Sequence, residues 1–342
     1  MQKLIYTVSF NTPAFLGNAE QAGQWRTPPF KALLRQWWRV VYAAENKFRV
    51  NVDEMRKAES LLFGVAADGG DSMKSQVRIR LDSWNLGSIT SWDGVEMPKI
   101  PHPEVERAQR QVGPQAYLGF GPLDGRGGTT LTKAKAIATS ERVHLRVGVV
   151  DAKDALTIEK AATLIHQFGS IGGRSRNGWG SIALDATGEH DAYPLRPWEQ
   201  ALAVDWAHCI GQSADGRPLI WATDPKADWR AAMVDLAKIK IAVRTQNAFR
   251  FLRTPGDGQV HDRHWLSYPV TNHSVHAWGD ARLPNSLRFK VRKAGNQFVG
   301  VVFHMPCKPP PELASDQTTL QRIWAQVHLT LDNQTTLKRS AS

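Results

Sequence analysis

Arg174 and Arg176 sit in a run of twelve residues, 169–180, that holds five glycines and no acid. Glycine lets a backbone turn through positive φ and brings main-chain amides close to a ligand with no Cβ in the way. Consecutive amides in such a turn form an anion-binding concavity. Gly172, Gly173, Ser175 and Asn177 would supply those amides, and the two guanidiniums add fixed positive charge. The chemistry on offer is phosphate binding. A plain surface connection with two solvated arginines would carry the same composition.

A second cationic set precedes it. Lys31, Arg35 and Arg39 recur at i, i+4 and i+8, with Arg26 ahead of them and no acid between Glu20 and Glu45. Like charges at this spacing repel by roughly 0.2–0.5 kcal/mol a pair. Trp38 and Tyr42 stand beside them, and a cationic row next to aromatics suits phosphates plus a stacked base. The competing reading is that remote carboxylates pair with the arginines and that Trp37 and Trp38 are core. Acids are also sparse around Lys238, Lys240, Arg244, Arg250 and Arg253, and again around Arg282, Arg288, Lys290, Arg292, Lys293 and Lys308.

The eleven histidines give little sign of catalysis. His261/His264 and His273/His276 lack the His-Glu-x-x-His pattern, and no cysteine stands near, so no metal is expected. No Gly-x-Ser-x-Gly elbow occurs. A metal-free ribonuclease needs only a placed base and acid, which leaves His144 and His264 open. The expectation is no catalytic residue, no metal and no cofactor.

The elements that must position these residues can be read from periodicity. A strand is expected near 3–10. Thr27-Pro28-Pro29 starts a helix, with Thr27 as cap and proline in the first turn. Phe30, Leu33, Leu34, Trp37 and Val41 form its core stripe. A helix over 54–63 stops at Gly64. Residues 76–81 alternate, with Val77, Ile79 and Leu81 inward, and so do 141–150, with Val143, Leu145, Val147 and Val149 on one face. Residues 88–128 are Pro- and Gly-rich and read as a long surface insertion. A helix over 157–168, capped by Thr157, leads into the glycine run, and a strand follows over 179–184. Walker and dinucleotide loops run strand, loop, helix; this one runs helix, loop, strand, so a nucleotide triphosphatase is not expected.

The order strand, helix, strand, strand, helix, strand is that of the split βαβ arrangement. The fold class expected is α+β, two tandem ferredoxin-like domains with insertions, spanning 1–190 and 191–342. In the second, a helix is expected over 228–239. A hairpin follows, its first strand carrying Arg288, Lys290 and Arg292 on a cationic outer face. A helix over 318–325 and a strand over 326–331 come last. At 342 residues there is room for two cores. The net charge of +11 favours polyanionic partners. Two cysteines exclude a disulfide framework, no run of about 18 apolar residues suggests a membrane span, and the cytoplasm is the expected compartment.

Thr12-Pro-Ala-Phe-Leu-Gly17, the helix segment Gln24-Trp-Arg-Thr-Pro-Pro-Phe-Lys-Ala-Leu-Leu-Arg-Gln-Trp-Trp-Arg39, Phe63-Gly64 and the loop 172–180 together resemble the RAMP superfamily of CRISPR proteins. Within it the chain is similar to the first-numbered subunit family of the type III-B Cmr effector complex. Arg263-His264, Tyr268-Pro269, and Arg282 with Ser286 fit that family's weaker second pattern. Ala32 stands where the family usually has glycine, and Phe30 replaces a small aliphatic. The resemblance implies a non-catalytic subunit that holds the 3′ region of the guide crRNA and helps capture single-stranded target RNA beside other Cmr subunits, away from any membrane. It implies RNA contacts at Arg26, Lys31, Arg35, Trp38, Arg39, Arg174 and Arg176 with the loop amides, and in the second half at His264, Arg282 and Arg288. The rival expectation is a metal-independent RAMP endoribonuclease that processes the crRNA precursor.

Overall fold

A computed structural model of the chain describes residues 1–65, 72–105, 111–125, 128–132, 135–185 and 192–340. They group as two units. One comprises Met1–Glu96, Gly119–Pro194 and Lys290–Arg292, and the other Met97–Leu118, Leu195–Phe289 and Lys293–Ser342. The expected boundary at 190/191 lies outside the described residues. The 88–128 stretch contributes to both units and holds short paired strands (Ile100–Pro101 with Gln111–Val112) and the helix Pro114–Gly119.

In the first unit β1 (Gln2–Phe10) leads to α1 (Thr27–Glu45) and α2 (Val52–Phe63). Then come β2 (Arg78–Leu81), β3 (Val143–Val149), α3 (Ala152–Phe168) and β4 (Ile182–Leu184). The stripe read on α1 is buried as a set, each large apolar side chain contributing about 1.5–3 kcal/mol. Its N-cap is Arg26 rather than Thr27: Arg26 is extended at φ −154°, ψ 145°, and no side chain caps the helix. Proline preorganises that first turn and offers no amide to cap. Elsewhere true caps lengthen the helices. Asn51 accepts from the amides of Asp53 and Glu54 and starts α2 two residues early. Asp151 accepts from Lys153 and Asp154, so α3 begins at Ala152, and Thr157 is an interior residue whose hydroxyl donates to the Lys153 carbonyl at 3.2 Å.

The four strands run β2-β3-β1-β4, each antiparallel to its neighbours. Tyr6, Leu145, Val147, Ile182 and Leu184 meet Phe30, Leu33 and Leu34 of α1 and Ala162 and Ile165 of α3 in one apolar core. The helices therefore cover one face of the sheet.

The second unit repeats this order with β5 (Ile220–Thr223), α4 (Trp229–Thr245), β6 (Leu287–Ala294), β7 (Gln297–His304), α5 (Gln317–Asp332) and β8 (Leu337–Arg339). Its sheet runs β6-β7-β5-β8, the same sequence of first, second, third and fourth strands as in the first unit. The strand expected over 326–331 is instead helix. Leu320, Ile323, Trp324, Val327 and Leu331 keep the 3–4 spacing and are all buried, and that period continues through the alternating residues. The closing strand lies beyond, at β8. No described helix is long and apolar enough to cross a membrane.

Candidate nucleic-acid interface

The glycine run leaves α3 at Phe168 and enters β4 at Ile182. It is pinned from below. Trp179 is fully buried, 5.3 Å from Phe15 and 5.6 Å from Trp92, ring centre to ring centre. Thr12 Oγ1 donates to the Gly178 carbonyl at 2.7 Å and accepts from the Ser181 amide at 3.0 Å. Gly173 and Gly180 donate to the carbonyls of Phe15 and Pro13. Two glycines are obligatory. Gly180 sits at φ +60° with a would-be Cβ 2.0 Å from the Ile171 oxygen, and Gly172 at φ +91° with one 2.7 Å from the Phe15 oxygen.

That pinning corrects the expected amide concavity. The amides of Ile171, Gly173, Ser175, Asn177, Gly178 and Gly180 are spent on carbonyls within the loop or in 13–15. What the loop presents outward is its side chains. Arg174, Arg176 and Gly172 are exposed, and Gly173, Ser175 and Asn177 half-buried. Arg174 adopts φ +57°, and its Nε–H donates to the Phe120 carbonyl.

The cationic row of α1 is not a free face. Arg35 Nε and Arg39 Nη2 both reach Glu59 Oε1 on α2, at 2.7 and 2.8 Å, while Arg39 Nε takes Oε2 at 2.9 Å. Glu59 is 4% exposed. Burial works to raise its pKa, but the hydrogen bonds from Arg39 and Arg35 hold it below the usual glutamate value. Lys31 Nζ donates to the Phe63 carbonyl at 2.7 Å, and burial and then the Arg35 charge lower its pKa. Trp38 is 4% exposed, beside Tyr42 and edge-on to Phe63. It is core, not a base-stacking platform. Arg26 is half-buried, with an Nε–H that has no hydrogen-bond partner among the described residues.

In the second half, His264 is 1% exposed, its Nδ1 accepting from the His261 amide and its Nε2 donating to the His273 carbonyl. Its ring is closed off from solvent. Arg263 beside it is buried on Glu104 at 2.6 Å. Arg282 is exposed and Arg288 half-buried. The cationic outer face expected of β6 is not formed, because Lys290 is fully buried. Its Nζ donates to the carbonyls of Ile165, His166 and Ile182 at 2.9, 2.6 and 2.8 Å. Arg292 Nη1 donates to Gln167, and its guanidinium lies over Phe168. Among the described residues no group of three or more His, Cys, Asp or Glu is placed to hold a metal ion.

Thr12 and the glycine loop thus form one framed structure, and the RAMP superfamily model matches the segment that contains both, residues 12–183. The chain belongs to the RAMP superfamily. No curated protein sequence matches it. Among solved structures, this RAMP chain is similar to the apo crystal structure of Cmr1 from Pyrococcus furiosus, at 14% identity over 96% of each chain with a TM-score of 0.47. It is also similar to a chain of the type III-B Cmr-beta complex bound to cognate target RNA, solved by cryo-EM. That match has 11% identity over 95% of this chain and all of the other, with a TM-score of 0.50. At that identity the shared property is the fold.

Within the RAMP segment, two residues with structural leverage escaped sequence reasoning. Glu59 lies 20 residues beyond Arg39 and looks like any solvated helix acid. Asp82 takes the His144 amide at 2.8 Å and its Nδ1 at 2.6 Å. Desolvation acts to raise the Asp82 pKa, yet the hydrogen bonds from His144 keep it below the usual aspartate value.

Proposed function

We propose that this RAMP chain is a non-catalytic RNA-binding subunit of a type III-B CRISPR effector complex. It contacts the 3′ region of the guide crRNA and helps capture single-stranded target RNA beside other Cmr subunits. On this reading the two units are divergent copies of one ferredoxin-like plan, supported by the strand order they share. The observation that carries the reading is the rigid glycine loop closing the RAMP segment, with exposed Arg174 and Arg176 at its crest. Flexible chains recognise such fixed cations through phosphates, with no need of base contacts.

Titration of a labelled single-stranded RNA at several salt concentrations tests it. Each phosphate contact on a single strand adds about 0.7 to the slope of log K against log salt. Arg174→Gln with Arg176→Gln is expected to flatten the slope by about 1.4, and an unchanged slope removes the loop from the interface. A second reading, the metal-independent endoribonuclease, is favoured by one feature: exposed His144 has a carboxylate partner in Asp82. Discrete RNA cleavage that disappears in His144→Gln would put that reading first.

A further inference from the structure

α1 and α3 cover one face of the first sheet, and alternate residues of its strands point to the other. On that open face β1 carries Lys3, Ile5 and Thr7, β2 carries Arg78, Arg80 and then Asp82 just past its end, and β3 carries His144 and Arg146. The register sets them in rows. Arg80 stands directly opposite Arg146, and Arg146 opposite Ile5, while Arg78 and Lys3 flank Gly148 from either side. All four cations and Ile5 are exposed. Two acids border this face: Asp82 is taken by His144, and exposed Asp185, just past β4, donates its amide to the Thr7 carbonyl. Among the described residues, Lys3, Arg78, Arg80 and Arg146 make no ion pair.

This is the reverse of α1, where the cations are tied to Glu59. Like charges directly opposite on neighbouring strands destabilise a sheet, and a surface that only needs solubility mixes its signs. A polyanion lying across the strands removes that repulsion. An acidic peptide fits less well, since extended peptides gain affinity by pairing their main chain with a sheet edge, whereas a face offers only side-chain tips. No Phe, Tyr or Trp stands among these residues, which offer charge and no ring for a base to stack on. Arg78 and Arg80 are about 7 Å apart along one strand, and Arg146 is one strand away, about 5 Å. The array follows a backbone, not a base sequence.

We propose that the open face of the first sheet, centred on Arg80 and Arg146 with Lys3 and Arg78 at its margin, binds the phosphate backbone of single-stranded RNA. The inference rests on the RNA-binding reading above and gives it a second contact surface, separate from the glycine loop.

The test uses the full chain, a short fluorescein-labelled oligouridine and fluorescence anisotropy across a salt series. The double variant Arg80→Gln with Arg146→Gln changes two exposed side chains. Its melting temperature should not fall below that of the unchanged chain, which checks that it folds. The expected result is a loss of about 1.4 from the salt slope, two single-strand phosphate contacts at about 0.7 each. A slope unchanged in this variant but reduced by Arg174→Gln with Arg176→Gln overturns the sheet-face site and leaves the RNA reading standing. No salt-sensitive binding by the unchanged chain overturns both. Oligoglutamate that displaces the RNA as well as unlabelled oligouridine does would make an acidic peptide the partner and overturn the proposal.

Discussion

Glu59 is buried, and both of its carboxylate oxygens accept hydrogen bonds from arginines of α1. A buried carboxylate satisfied by two guanidiniums fixes the angle at which α2 meets α1, and each charged hydrogen bond contributes about 1.5–3 kcal/mol. Because Arg35 and Arg39 are 38% and 42% exposed, water takes up part of what is lost when the acid is removed. Glu59→Ala is expected to destabilise the chain by about 1–3 kcal/mol, read as a lower urea midpoint. Arg35→Ala should act on stability in the same way before it acts on RNA. An unchanged midpoint in Glu59→Ala would mean the ion pairs are idle. The spacing of α1 made its cations legible, and the apolar stripe made its buried face legible. Their partner was not, because it lies 20 to 24 residues away on another helix, and spacing within one helix says nothing about the next.

At the scale of elements, the C-terminal end of α3 is held by Lys290. A helix end leaves carbonyls without amide partners and carries partial negative charge, so a buried ammonium there meets acceptors on three sides. Burial, and then the Arg292 charge, drive the Lys290 pKa well down. Three carbonyl acceptors use all three hydrogens of the charged form and oppose that. The flanking backbone joins in: Val291 donates to Ser181 Oγ and accepts from Asn11 Nδ2. Both roots of the glycine loop, at Phe168 and at Ile182, are thereby fixed. Lys290→Met keeps the length of the side chain and removes the donors. It is expected to cost about 2–4 kcal/mol and to speed hydrogen exchange at the loop amides; protection equal to that of the unchanged chain would contradict the bracing role. Alternation over Leu287–Val291 correctly gave a strand and its two faces. It made Lys290 look solvated because period two sorts residues by face without saying which face is covered. The same limit applied at α5, where residues 326–331 satisfy both a strand and a helix period, and the longer run of buried positions decided for helix.

For the molecule as a whole, acid sensitivity follows from its buried imidazoles. His304 and His328 share a hydrogen bond of 2.9 Å in the core of the second unit. Burial, then the charge of Arg339, takes His328 down to about 3, and burial, then His328, takes His304 well below its usual value. Burial likewise lowers His102, His166, His208 and His264. Each folded-state pKa lies below the unfolded value of about 6.5, so the unfolded chain binds more protons on acidification. Stability is complete above that pH and is lost as pH falls towards the folded values, by up to about 1.4 kcal/mol per pH unit for each histidine. Urea midpoints should therefore drop between about pH 7 and pH 5, with a shallower fall in His328→Gln; equal midpoints at both pH values would refute this. The repeated order of strands and helices was legible in the first unit and partly in the second. The charge of +11 pointed correctly at cationic surfaces without telling paired cations from unpaired ones.

The first unit draws Lys290–Arg292 from far along the chain. On a ribosome, Pro194 is made 96 residues before Lys290. At about 5–20 residues per second, the end of α3 and the glycine loop wait roughly 5–20 s for their brace. Through that interval the loop is held by its contacts to 12–15 and Trp92, and the nascent chain offers proteases and chaperones a helix end whose buried ammonium has not yet been made.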